Sequence, residues 1–471
     1  MKEFMLNGVK IEAYPLNSAQ RIHNYSVLYC PYHQLLNIGT GLYIKQEVDF
    51  TLLREAIYEA YIRNEAMRLR FHKDDDDGTV YQYLVPFEER EIEFRDFSSW
   101  REEDAHEEMR CWTKVPFERF HSPMNRIVMI KLPDGFNGIY MKVDHMTMDS
   151  SSIISFDKDV LEIYCSKRYG IKYPKPLQSY IKALEKDLAY EAGSKAFERD
   201  HSFWMEEIQS SEPMYTDFTG MGRLLTQRRE NNNPNQRSAM VVSHDPEAAI
   251  SVYKLEKEPS EQLMQFCADN HVPMGSLLLM GLRTVLSKFN DNEKDVSVKS
   301  CISRRGTLLE KNSGGTRIHF FPLRTIMEPE MTFMEGLNLI QEKLNRLFRH
   351  ANYDPIAYTR ERAKYWNLQP GASYESVSLT YQPMSMRDPN ALDVPDIPYK
   401  SMWYTNGVAA QPLYLTVMHR VEDNGLNFHF EYRKDAVTEH EMEYLYYYLC
   451  RVLFCGIENY ERTIGEILDI V

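Results

Sequence analysis

One segment of the chain gathers side chains that could move a proton. Residues 138–153 read Gly-Ile-Tyr-Met-Lys-Val-Asp-His-Met-Thr-Met-Asp-Ser-Ser-Ser-Ile. Ile139, Met141 and Val143 alternate with Tyr140, Lys142 and Asp144, which predicts a strand with one apolar face. His145 keeps the parity of that face, so its ring points inward. Asp149 and the serines after it suit the N-cap of a helix whose buried stripe is Ile153, Phe156, Val160, Leu161 and Tyr164. An imidazole at the end of a buried strand can take up or release a proton near neutral pH. Spacing alone does not decide the matter. His-x-x-x-Asp recurs at His72/Asp76, His350/Asp354 and His419/Asp423, and a lone inward histidine equally fits a hydrogen-bonded core residue. A metal site needs a third and fourth ligand that the sequence does not supply, so no metal is expected.

Other chemistry finds little support. The chain lacks a GxxxxGKS/T phosphate loop, a GxGxxG fingerprint, a GxSxG elbow and an HExxH helix. The Gly314-Gly315 pair reads as a turn. Four consecutive aspartates, Asp74 to Asp77, precede Gly78 and read as a solvated hairpin turn. The 55 Lys and Arg against 69 Asp and Glu give a net charge of −14, which argues against nucleic acid and anionic membrane partners. Seven cysteines lie scattered at Cys30, Cys111, Cys165, Cys267, Cys301, Cys450 and Cys455 without a CxxC pair, so neither a disulfide framework nor a zinc knuckle is indicated. No apolar stretch reads as a signal peptide or a membrane span. The expectation is a cytoplasmic protein.

The elements that must position these residues alternate between helical and strand patterns, and no period of 20–50 residues repeats. At about 150 residues per domain the length suggests two or three domains. A strand at 11–14 leads to a helix capped by Asn17 or Ser18. A strand at 35–46 precedes a helix capped by Asp49, with Leu52, Leu53, Ala56, Ala60 and Tyr61 on one face. Strands at 69–71 and 80–85 flank the aspartate run. Helical patterns fill 151–169 and 177–209, and the polar stretch 226–237 reads as a loop. Helices then fall at 260–270, 274–290, 332–350 and 439–453. Strands fall at 296–302, 316–327, 377–381, 413–417 and 426–432. Two similar halves divide near residue 175.

Against this background the segment around His145 resembles the HHxxxDG motif of the condensation domains of nonribosomal peptide synthetases. Those domains belong to the chloramphenicol acetyltransferase-like acyltransferase superfamily. Further motifs follow in the family's order. Tyr14-Pro15-Leu16-Asn17-Ser18-Ala19-Gln20-Arg21 resembles the opening YPLSxAQ motif, and residues 63–71 closely match RHExLRTxF. Ile302-Ser303-Arg304-Arg305 resembles the xxGR strand, and residues 315–324 are a looser GxFVNTLPLR. His350-Ala351-Asn352-Tyr353 is similar to the start of HQDYPF, and residues 431–435 with the helix after them resemble the closing strand and helix.

The resemblance implies an α/β fold, an α+β sandwich of two chloramphenicol acetyltransferase-like lobes in a V-shaped pseudo-dimer with a central tunnel. Residues 1–175 would form the N-terminal lobe and 176–471 the C-terminal one. His145 would be the catalytic histidine and Asp149 a structural aspartate paired with Arg305. A buried carboxylate needs such a partner. Asp144 stands in place of the first histidine, Ser150 of the glycine, Arg304 of another glycine and His319 of an asparagine. Ser150 would put the backbone N–H near the acyl carbonyl at a steric cost. An Asp144 carboxylate beside His145 would raise the histidine's pKa. The implied activity joins an acyl or aminoacyl group to an amine. The donor would arrive as a thioester on the phosphopantetheine of an acyl or peptidyl carrier protein, with no cofactor bound to the chain itself, which is expected to be a monomer. Two alternatives stay open: an O-acyltransferase that makes esters from acyl-CoA or an acyl carrier, and a catalytically degenerate docking platform.

Overall fold

A computed structural model describes residues 2–383, 398–421 and 423–471. The chain forms two compact units. The first comprises Met1–Ala196, Ser303–Ile318 and the described part of Ser385–Gly407; the second comprises Phe197–Ile302, His319–Met384 and Val408–Val471. The expected division near residue 175 falls inside the first unit, between the helices Ser150–Tyr169 and Tyr180–Glu191. The architecture is a mixed α/β fold of several sheets and helices.

The first unit is built on a five-stranded sheet in the order Tyr399–Tyr404, Asn37–Ile44, Asn137–Asp144, Asn125–Lys131 and Glu93–Asp96. Asn37 lies opposite Asp144 and Ile44 opposite Asn137, which sets the antiparallel register of the two central strands. The strand Asn137–Asp144 departs from the expected single apolar face, because both of its faces are covered. Ile139, Met141 and Val143 pack on one side with Leu53, Ile57, Phe156 and Val160 from the helices Phe50–Arg63 and Ser150–Tyr169. Tyr140 packs on the other side with Met109, Val128 and Tyr43, under the helix Glu102–Lys114. Lys142 is buried as well. Its ammonium donates to the Val115 carbonyl at 2.7 Å and lies 4.3 Å from the centre of the Phe117 ring.

A second, four-stranded sheet runs Lys2–Leu6, Val9–Pro15, Val80–Leu84, Leu69–Lys73. The aspartate run is the turn of its hairpin: Lys73 pairs with Val80, and Gly78 takes the left-handed conformation with φ 74°. Asp49 caps the helix Phe50–Arg63 by accepting the Thr51 and Leu52 N–H groups, as its position predicts.

The second unit holds a six-stranded sheet ordered Ala248–Lys254, Leu426–Arg433, Leu413–His419, Val377–Gln382, Asp295–Ser303 and Ile318–Ile326. The helices Met274–Phe289, Phe333–Arg349 and Glu439–Glu458 share its core, which contains Leu277, Leu282, Ile340, Leu415, Phe428 and Leu449. Nearly every residue of Met274–Phe289 is buried, and that explains the apolar run in the sequence. No helix among the described residues is long and apolar enough to cross a membrane. The stretch 226–237 is only partly a loop: the helix Gly222–Glu230 occupies its first residues, with Leu224 alone buried. Arg228 Nε holds the turn that follows by donating to the Gln236 carbonyl at 2.8 Å. Polar contacts take the place of an apolar stripe there, so hydrophobic periodicity gives no sign of this helix.

Candidate functional site

The strand Asn137–Asp144 delivers a tight turn, residues 144–149, to the start of the helix Ser150–Tyr169. The turn is held mostly by its own backbone. Thr147 N–H donates to the Asp144 carbonyl at 2.9 Å, and His145 N–H donates to the Leu36 carbonyl at 2.7 Å. The Asp144 carboxylate accepts the Met146 N–H at 2.8 Å, closing an Asx-type turn around His145. Burial pushes Asp144 up to about 6, against the pull of the Met146 N–H and the Arg119 charge.

The His145 ring stacks on His23, with centroids 3.9 Å apart and planes 23° off parallel. Its Nδ1 is buried with no hydrogen-bond partner among the described residues. Burial holds the His145 pKa below the ordinary imidazole value, and the Asp149 charge opposes that only in part. The expectation that Asp144 raises this pKa is therefore corrected. The Asp144 carboxylate is spent on the Met146 N–H, and desolvation outweighs the nearby anion. The shift favours the neutral imidazole.

Asp149 is fully buried and accepts four donors. Arg305 Nη1 and Nη2 reach it at 2.7 and 2.9 Å, Arg317 N–H at 2.8 Å and Ser152 N–H at 3.1 Å. Arg305 and these hydrogen bonds hold its carboxyl below the ordinary range despite the burial. Arg305 Nη2 also donates to Ser152 Oγ and to the Gly315 carbonyl, each at 2.8 Å, and Ser152 Oγ donates to the same carbonyl at 2.5 Å. The Gly314-Gly315 pair is thus more than a turn. Both residues have positive φ, 70° and 83°, and a Cβ at 315 would collide with the Tyr180 ring. Only glycine presents its carbonyl to Arg305 in this way.

The structure brings Asp144, His145, Asp149, Ser150 and Arg305 into one neighbourhood of the first unit. Ser150 is the first helical residue and half-buried. Arg304 turns onto a second buried carboxylate: its Nη1 lies 3.5 Å from Asp187, which also accepts Arg317 Nη2 at 2.8 Å. His319 belongs to the second unit, fully buried, with Nδ1 2.7 Å from the Ala351 carbonyl.

Four residues here have no place in the sequence-based set: His23, Ser152, Asp187 and Arg317. A signal for the first exists in hindsight. Asn17, the N-cap, and Gln20 and His23 on the helix Ser18–Tyr29 recur at a three-residue spacing, which puts buried polar groups on the helix's inward side. For Asp187 and Arg317 the pairing spans 130 residues, and no local pattern announces it.

Chemically, the turn offers an imidazole whose backbone is held by the Leu36 carbonyl, four residues before a buried carboxylate neutralised by Arg305. Such a ring can accept a proton. Among the described residues no three His, Cys, Asp or Glu side chains converge as metal ligands.

With this geometry in hand, the comparisons with known proteins define the class. The sequence profile of the Condensation domain family matches residues 10–469, nearly the whole chain, and the chain belongs to that family. One of the plipastatin synthase proteins of Bacillus subtilis (strain 168) is 19% identical over 456 residues, 96% of this chain and 17% of that protein. Surfactin synthase subunit 1 of the same organism is 23% identical over 466 residues, 98% of this chain and 12% of that protein. The chain therefore spans less than a fifth of the length of these relatives. Among solved structures, the first condensation domain of the calcium-dependent antibiotic synthetase superposes with a TM-score of 0.80 at 18% identity, covering 97% and 98% of the two chains. A starter condensation domain of rhizomide synthetase, solved with C8-CoA, gives 0.79 at 17% identity and 96% of both chains. The X-domain from teicoplanin biosynthesis gives 0.73 at 17% identity and 97% of both chains.

Proposed function

We propose that this domain joins a thioester-bound acyl or aminoacyl group, carried on the phosphopantetheine arm of an acyl or peptidyl carrier protein, to an amine, with His145 as the catalytic residue. The observation that supports this most is the place of His145, a partly buried residue at the end of the strand Asn137–Asp144, beside the locked Asp149–Arg305 pair. The amine nitrogen attacks the thioester carbonyl, the C–N bond forms and the C–S bond breaks. His145 takes the proton that the nitrogen sheds and returns it to the departing thiolate. An α-amine with a pKa near 8 is already about a tenth neutral at pH 7, so its lone pair needs no base to be freed. An imidazole with a lowered pKa suffices for such a nucleophile, whereas an alcohol must give up its proton as it attacks. The bond type of the product separates this reading from the ester-forming alternative.

The test is product mass spectrometry on a panel of acyl-pantetheine thioesters offered with amines and alcohols, wild type beside His145→Ala. An amide that appears with the wild type and falls at least about 100-fold in the variant supports the reading. An ester product would replace it with O-acyl transfer. A product indifferent to His145→Ala would remove His145 from the chemistry. Absence of any product with the wild type would count for the docking platform.

A further inference from the structure

The helix Ser18–Tyr29 reaches the His145 turn with polar side chains. Gln20 is fully buried, and its Nε2 donates to the Met146 carbonyl at 3.1 Å. Asn24 accepts from Arg119 Nη2 at 3.4 Å. Between them on the same face sits His23, 7% exposed, with its ring flat against His145. His23 Nε2 and His145 Nδ1 are both buried without a hydrogen-bond partner among the described residues. Burying two open ring nitrogens side by side is costly and calls for a reason.

A proton-transferring histidine normally has its free nitrogen held by a carboxylate or carbonyl, which fixes the ring's plane. Among the described residues His145 has no such hold on Nδ1. The backbone of His145 and Met148 bears on the ring, and the ring stacked on its face is that of His23. We propose that His23 is a positioning residue for the condensation reaction, its stacked imidazole fixing the plane in which His145 meets the acceptor nitrogen. This inference rests on the amine-condensation reading above.

The stack has an electrostatic side as well. Two imidazolium charges at this separation repel, and burial already disfavours a charge on either ring. The other charged groups around the turn balance one another, Asp149 against Arg305 and Asp144 against Arg119. With His23 in place and neutral, a proton arriving on His145 therefore meets no second positive ring.

The test compares wild type with His23→Leu, which fills the space without an aromatic face, and with His23→Phe, which restores the face without nitrogens. Protein labelled with 13C at histidine Cε1 is titrated by NMR, the His145 signal being assigned from its loss in His145→Gln. We expect the Leu variant to shift and broaden the His145 signal and to move its titration up towards the ordinary value near 6.5, with the Phe variant close to wild type. On a thioester–amine pair that turns over, the Leu variant should lose about tenfold or more in kcat with KM within about threefold, and the Phe variant should recover most of it. A folded Leu variant whose His145 signal and titration superimpose on wild type would overturn the proposal. So would a kcat unchanged by His23→Leu. A wild type that turns over no substrate would count against the condensation reading, while the NMR comparison would still decide whether His23 positions the ring. His23→Gln, polar and of similar reach, serves as the non-aromatic variant in case the Leu protein does not fold.

Discussion

At the scale of single residues, Asp149 decides whether the His145 turn keeps its shape. It caps the helix Ser150–Tyr169 and takes both guanidinium donors of Arg305 with no exposure to water. Asp149→Asn keeps a capping oxygen but leaves Arg305 buried without a counter-charge. Losing one partner of such a pair costs roughly 3–5 kcal/mol, far above the roughly 1 kcal/mol of a lost cap. We therefore expect a fall of that size in urea unfolding at pH 7. The sign with pH follows from the depressed carboxyl of Asp149. Its stabilisation is present above the unfolded-state value near 3.9 and disappears as pH falls through the lower folded value. The gap between wild type and variant should close on acidification. A gap under about 1 kcal/mol at pH 7 would mean that the pair is not worth what its burial implies.

At the scale of elements, the segment Ser303–Ile318 of the first unit supplies Arg305, Gly315 and Arg317 to the site. Gly315→Ala places a methyl in the Tyr180 ring at a backbone angle that L-residues avoid. Strain and overpacking together amount to about 2–4 kcal/mol, and the Gly315 carbonyl would leave Arg305 and Ser152. A thermal melt should show the loss, whereas Gly306→Ala, where a Cβ meets nothing closer than 3.7 Å, should show little. Equal melts for the two variants would refute the role given to Gly315. This segment also marks where sequence reasoning ends. Period-2 and period-3.6 patterns lie within one element, so the strand Asn137–Asp144, the helix Ser150–Tyr169 and the cap Asp49 were legible, while the first helix's cap, open between Asn17 and Ser18, is Asn17. The Asp149–Arg305 pair was reached through motif resemblance, not spacing. Tyr399–Tyr404, which pairs with Asn37–Ile44 as an edge strand, lies more than 350 residues from its partner and carries no clean alternation of burial. The use of Gly315 depends on Tyr180, which no local pattern connects to it.

At the scale of the whole molecule, each unit closes its own core, and the ionisable groups trapped inside set the response to pH. Asp157 is the clearest case. It lies on the helix Ser150–Tyr169, 6% exposed, and its Oδ1 has no hydrogen-bond partner among the described residues. Burial alone pushes it up to about 8. A carboxyl raised in the folded state behaves opposite to Asp149. The native chain holds its proton between the unfolded value near 3.9 and about 8, so stability declines as pH rises through that window. Histidines depressed by burial, His23, His145 and His429, pull the other way but only below about 6.5, where the unfolded chain would protonate them. Between pH 6.5 and 8 the acid's slope stands alone among these groups, and Asp157 contributes a loss of up to about 1.5 kcal/mol. Urea unfolding across pH 4 to 8.5 should therefore show Asp157→Asn more stable than wild type at pH 8, with the advantage shrinking towards zero at pH 4. An advantage of the same size at both ends would assign the gain to packing, and a variant less stable at pH 8 would show that the carboxylate has a partner worth more than its burial costs.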